Sequence, residues 1–261
     1  MATNLVTNPD GTSSFRDSDN QLNAIELDGK KGAYVDPANF VQFYDDFLGD
    51  VLEDGYSGAG GSDAQALTPA INAQAGGVVR LVAGDSNTSA AADGSMLTHA
   101  LNWKANQGGL YLKTRIKAVT SVADFSVFVG FTDALGTTAV EQPISLSGTT
   151  LTTTATDAVG FLFDTDATND TIHIQGVAND TDTALNNTGL GLSADTWYTL
   201  EIKVDTSGNA EMFIEGVSYG TVASAVTATV ALSPVVFAGS RTTATKTVDV
   251  DYLFVAGQRP A

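Results

Sequence analysis

Cysteine is missing from this 261-residue chain, which rules out disulfides, thiolate metal sites and a cysteine nucleophile. Basic residues are scarce. Twelve Lys and Arg stand against 30 Asp and Glu, a formal net charge of −18. Phosphate-rich partners are held by clustered Lys and Arg, so this balance argues against nucleic acid and anionic membrane. Its bland consequence is solubility; its active one is attraction of cations or a basic surface. The two histidines, His99 and His173, lie far apart without metal-ligand spacing. No apolar run reaches the ~18 residues that cross a bilayer. The opening Met1-Ala-Thr-Asn-Leu-Val has neither the basic nor the apolar region of a secretory signal. The expectation is a protein that stays in the cytoplasm where it is made until the cell breaks.

What is present makes strands and turns. Hydrophobic residues are 43% of the chain, enough for a sizeable core, and 26 glycines accompany abundant Thr, Asp, Asn and Ser. Leu110–Lys117 alternates, with Leu110, Leu112 and Ile116 on one face and Lys113, Arg115 and Lys117 on the other. Trp197–Val204 alternates too, with Tyr198, Leu200, Ile202 and Val204 opposed to Trp197, Thr199, Glu201 and Lys203. Further strands are expected at 78–83, 125–132, 159–163, 171–177, 210–217, 235–238 and 248–256. Residues 40–56 carry Phe40, Phe43, Tyr44 and Phe47 among acids and read as a first strand or a short helix. Gly58–Ser62 reads as a flexible loop and Thr149–Thr156 as an exposed edge or loop. Many short strands without an intervening helical pattern predict an all-β, two-sheet antiparallel sandwich.

Residues 1–40 differ. Asn8-Pro9-Asp10-Gly11 is turn sequence and Asp17–Asn20 is polar, interrupted by short apolar pairs such as Leu5/Val6 and Ile25/Leu27. The expected organisation is therefore an irregular N-terminal arm over 1–40, ordered on a partner or free, and one sandwich domain over 41–261.

Three segments carry a resemblance: Asp195–Asp205 opening a strand on Trp197, Ala210–Gly216 with Glu215-Gly216 at the turn, and Val248–Val255 with Asp251-Tyr252 inside it. Together they resemble the concanavalin A-like jelly rolls of the laminin-G and bacterial-lectin kind. A narrower resemblance is to capsid decoration and head proteins of tailed bacteriophages. It is carried by composition, the absent cysteines and signal, and an arm ahead of the jelly roll.

The jelly-roll resemblance implies a test for catalysis, because the class includes glycosidases. Retaining glycosidases need two carboxyl groups about 5–5.5 Å apart and inverting ones about 6.5–9.5 Å. The Glu-x-Asp-x-Glu pattern of the retaining relatives is absent. Glu211 and Glu215 share a strand face but lie about 13 Å apart along it at ~3.3 Å per residue. Asp249 and Asp251 are two apart on one face, a spacing that suits acid/base work or a solvated face. An enzyme is not expected.

Asp164, Asp166, Asn169 and Asp170 offer hard oxygen ligands after a strand. The resemblance makes calcium the candidate ion there, although the spacing is not that of an EF-hand and such residues also simply make turns. Lys113, Arg115 and Lys117 form a basic row that could dock an acidic neighbour or serve as a solvated sheet face.

The leading expectation is a non-enzymatic virion protein that binds a major capsid protein on the shell exterior. It would act as a homo-oligomer, with trimers suited to three-fold sites. The alternative is a carbohydrate-binding module or adhesin, in which Trp103, Tyr111 or Trp197 stack on sugar faces.

Overall fold

The computed structural model describes residues 4–7, 13–16, 24–27, 30–33, 40–48, 52, 56–60, 66–68, 77–84, 94–119, 121–135, 140 and 142–258, with backbone alone for the strands before residue 41 and for 57–60 and 66–68. Strands β1 (Asn4–Thr7) and β2 (Ser13–Arg16) pair as a hairpin, as do β3 (Ala24–Leu27) and β4 (Lys30–Ala33). The turn expected at Asn8–Gly11 and the polar stretch Asp17–Asn20 lie outside the described residues.

Next come β5 (Phe40–Asp45), β6 (Tyr56–Gly60), β7 (Ala66–Thr68), β8 (Val79–Ala83) and β9 (Gly94–His99). A 3-10 turn at Ala105–Gln107 precedes β10 (Leu110–Ala118) and β11 (Phe125–Thr132). The middle of the chain gives β12 (Ile144–Ser147), β13 (Thr150–Thr153), β14 (Ala158–Asp164) and β15 (Ile172–Ala178). Last are β16 (Thr181–Asp182), β17 (Asn186–Asn187), β18 (Trp197–Val204), β19 (Ala210–Ile214), β20 (Val217–Val222), β21 (Ser233–Ser240) and β22 (Lys246–Gln258).

These make two eight-stranded antiparallel sheets, the sandwich that alternation predicts. One runs β20-β19-β18-β10-β22-β8-β7, with β5 beside β8 along the same edge of β22. The other runs β16-β15-β14-β11-β21-β9-β6, with β17 also on β15. Between them lies one core, including Leu81, Leu112, Phe131, Phe161, Ile202, Val236 and Val250. Burying each such side chain contributes about 1.5–3 kcal/mol.

One expected loop is a strand instead, and of the edge or loop expected at Thr149–Thr156 the edge is found. Gly58–Gly60 belongs to β6, whose backbone pairs with β9, because a ladder can be satisfied by backbone alone even where glycines supply no side chain to pack. Thr150–Thr153 is β13, an exposed strand hydrogen-bonded to β12.

The two sheets differ on their outer faces. Beyond the β11/β14/β21 sheet lies a second apolar layer. Met96, Phe128, Leu162, Val235 and Phe237 are covered by Val140, Ile144, Leu146 and Ala155 from the segment carrying β12 and β13. Strands β11, β14 and β21 are accordingly buried along their whole length, which is why their sequences read as near-continuous apolar runs. Gly130 and Gly160 pair across this sheet. A Cβ on Gly160 would stand 2.4 Å from the Val129 carbonyl oxygen and 2.7 Å from Phe128 Cζ, so only glycine fits beneath that ring. Over the alternating polar positions of the β10/β18/β22 sheet the described residues build no comparable apolar layer, although the backbone of β3 approaches β10, and we call it the open sheet.

Candidate functional site

The outer face of the open sheet is built by alternation. From β10 it receives Tyr111, Lys113, Arg115 and Lys117, whose inward neighbours Leu110, Leu112 and Ile116 are core. In β18 the outward set is Trp197, Thr199, Glu201 and Lys203. β22 obeys a different count. Val248 and Val250 point inward, but so do Leu253 and Val255, because a bulge opposite Arg115/Ile116 inserts Asp251 as an extra residue. The bulge reverses the phase of the strand and brings Tyr252 and Phe254 outward.

An aromatic cluster results. Phe254 packs edge-on against Tyr111 with ring centroids 5.7 Å apart, and the pair is buried together with Ala256. Tyr44 stands beside Phe254 on the neighbouring strand β5, its ring 6.4 Å from both Tyr252 and Phe254, and is 53% exposed. Tyr44, Phe254 and Lys113 stand in one cross-strand row, and Tyr252 and Arg115 in the next. Burial and the Asp251 carboxylate beside it push the Tyr252 hydroxyl up to about 12, so it stays a protonated donor near neutrality. Thr114 Oγ1 donates to the Tyr252 carbonyl at 2.6 Å and fixes the strand at the bulge.

The expected basic row is present, and the fold supplies each member with an acid from its own chain. Lys113 Nζ lies 3.6 Å from Glu201, Arg115 Nη1 3.0 Å from Asp251 and Lys117 Nζ 3.0 Å from Asp195. Glu201 is also 3.3 Å from Lys203. Docking of an acidic partner would therefore compete with pairs already made.

The aromatics named for sugar stacking need correction. Trp103 is 5% exposed and sits in the central core, and Tyr111 is 7% exposed beneath its neighbours. Trp197 is half-buried, with Arg115 4.8 Å and Lys117 5.0 Å from its ring centre. Among the described aromatic rings, Tyr44 is the exposed one. Its segment was legible as aromatic and acidic, but pairing with the distant β22 is what makes it part of this face.

The acids considered for catalysis are engaged structurally. Arg80 holds Asp249 through two bonds of 2.7 and 2.9 Å, while Asp251 holds Arg115. Glu211 accepts from Ser218 and Glu215 from the Thr199 backbone N–H. Glu215 (φ 51°) and Gly216 (φ 75°) form the left-handed turn between β19 and β20.

The calcium set does not converge. Asp164 is fully buried on the side of the covering β12 segment, where Arg241 Nε donates to its Oδ1 at 3.0 Å and Arg241 Nη2 donates to Oδ2. The N–H groups of Leu146 and Asp166 donate to the same carboxylate. Burial raises the Asp164 carboxyl, against the lowering pull of Arg241. Among the described residues no three of His, Cys, Asp and Glu are grouped as a metal would require. Asp164 already has its cation.

No family model and no curated protein match the chain. Solved structures do. It is similar to an endo-β-1,4-glucuronan lyase from the fungus Trichoderma reesei (TM-score 0.57, 11% identity, covering 82% of this chain and 94% of that one). It is also similar to the carbohydrate recognition domain of Emp47p (TM-score 0.55, 9% identity, 86% and 99% covered). A third is the Bacillus licheniformis β-glucanase (TM-score 0.54, 11% identity, 84% and 98% covered). The chain has their two-sheet jelly-roll fold. At such identities the likeness extends to the fold alone.

Proposed function

We propose that this protein is a carbohydrate-binding jelly roll that works by adhesion, holding a glycan on the outer face of its open sheet. The observation that carries the reading is the Tyr44 ring, more than half exposed at the edge of a packed aromatic cluster of Tyr252, Phe254 and Tyr111. Pyranose rings present C–H faces that pack on such a surface, while charged groups beside it hydrogen-bond hydroxyls. Lys113, Arg115 and Asp251 stand at that edge. Adhesion rather than turnover is favoured because Asp249, Asp251, Glu211 and Glu215 are each engaged within the fold. The solved neighbours include a carbohydrate recognition domain and a glucanase, which support this reading over capsid decoration. The capsid reading keeps only its grounds in the sequence.

The test is a glycan array with the intact chain, followed by calorimetry on any hit using Tyr44→Ala. Binding lost with an unchanged melting temperature supports the reading. An array without hits, or a hit unaffected by Tyr44→Ala, removes it.

A further inference from the structure

On the carbohydrate-binding reading, we infer that the glycan is acidic, a polymer of uronic acids whose carboxylates are read by Lys113, Lys203 and Arg115. The chain as a whole repels anions at −18, yet five of its 12 basic residues (Arg80, Lys113, Arg115, Lys117 and Lys203) lie on this one sheet face. Their pairing is uneven. Arg80 grips Asp249 with two nitrogens, and Asp249 is fully buried, so that pair is closed. Arg115 meets Asp251 through Nη1 alone and its side chain is 41% exposed, leaving an edge of its planar fork to take a second carboxylate. Lys113 and Lys203 share the single carboxylate of Glu201, at 3.6 and 3.3 Å, so the three together carry a net positive charge. Both ammonium groups belong to side chains nearly 40% exposed, whereas Glu201 lies lower at 15%.

The cations also stand where a stacked sugar would present its acid. Lys113 follows Phe254 and Tyr44 across the strands, and Arg115 follows Tyr252. Adjacent strands are about 4.8 Å apart, so a pyranose lying on the tyrosines spans the gap to the basic row with its C5 carboxylate. A neutral glucan would satisfy the rings and leave these cations with their internal partners. A carboxylate free in solution would meet the cations without the rings. A uronate uses both.

The experiment is calorimetric titration of the full chain with oligogalacturonate, with cello-oligosaccharide of equal length and with polyglutamate as a non-sugar polyanion. The expected result is preference for the uronate, weakened about tenfold or more by Lys113→Gln, by Lys203→Gln and by raising ionic strength from about 0.05 M to about 0.5 M. Arg115→Gln should act likewise, and the two lysine variants keep the test valid if that one fails to fold. Equal binding of the neutral sugar, unmoved by the lysine variants, overturns the acidic-glycan inference and leaves carbohydrate binding standing. Polyglutamate bound as tightly as the uronate also overturns it, because charge alone would then suffice. Failure of the uronate to bind overturns the inference whatever the neutral sugar does, while the carbohydrate reading itself falls only if the glycan array is also without hits.

Discussion

Arg241, on the connection from β21 to β22, closes over the buried Asp164 at the end of β14 and makes that carboxylate the junction of three segments. Leu146 of β12 donates its N–H to the same group, so the pair ties the covering segment to the sheet beneath it. Replacing Arg241 with Met would leave a buried carboxylate with no cation. The expected cost is about 3–4 kcal/mol, read from the urea midpoint. A double Asp164→Leu/Arg241→Met variant should recover part of it, since an uncompensated charge is worse than none.

Calcium should not stabilise the protein through the Asp164–Asp170 segment. Addition to about 1 mM is expected to leave the melting midpoint where it was. A rise that disappears in Asp166→Asn would show that these residues do gather around the ion.

Gly160→Ala should destabilise by about 1–3 kcal/mol, because the new methyl meets both the Val129 carbonyl and the Phe128 ring. The same substitution at Gly189, where nothing lies within 4 Å, removes the packing clash and leaves only the strain of φ +74°. Comparing the two denaturation curves separates crowding from backbone conformation.

Stability should fall on mild acidification. Burial lowers both His99 and His173 below the ordinary 6.5; for His173 it outweighs the raising influence of two backbone hydrogen bonds and of Asp164. The unfolded chain therefore takes up protons that the folded chain declines. Their contribution is complete above about pH 6.5 and is lost as pH drops toward the folded-state values. His173→Gln should flatten the slope of urea midpoint against pH in that window, relative to the parent.

Much of the sandwich was written in alternation. β10, β11 and β18 stand where their periodicity put them, because none carries a bulge of its own: β10 and β18 pair in regular register, as β11 does with β14 and β21, and the shift against β22 falls on β22. β9 was missed: Gly94–His99 mixes Ser and Thr with Met and Leu, and its burial comes from tertiary contacts with β21 and β6 rather than from a pattern of its own. The aromatic site was legible only in part. Strict period-two counting sends Tyr252 and Phe254 inward, and nothing short of the Val248/Val250 to Leu253/Val255 phase change betrays the bulge. Arg241 offered no local signal at all, since its partner is remote in sequence.

The last strand also governs how the molecule must assemble. β22 is flanked by β10 on one side and by β8 and β5 on the other, so among the described strands β5 pairs with β22 alone, and the β8/β7 ladder joins the β10/β18 ladder only when 246–258 arrive between them. Closing such long chain loops before any contact is gained is slow. The cluster bearing Tyr44 and Tyr252 thus comes into being in the same step that completes the sheet, and a chain cut short of Lys246 would lack that aromatic face together with its architecture.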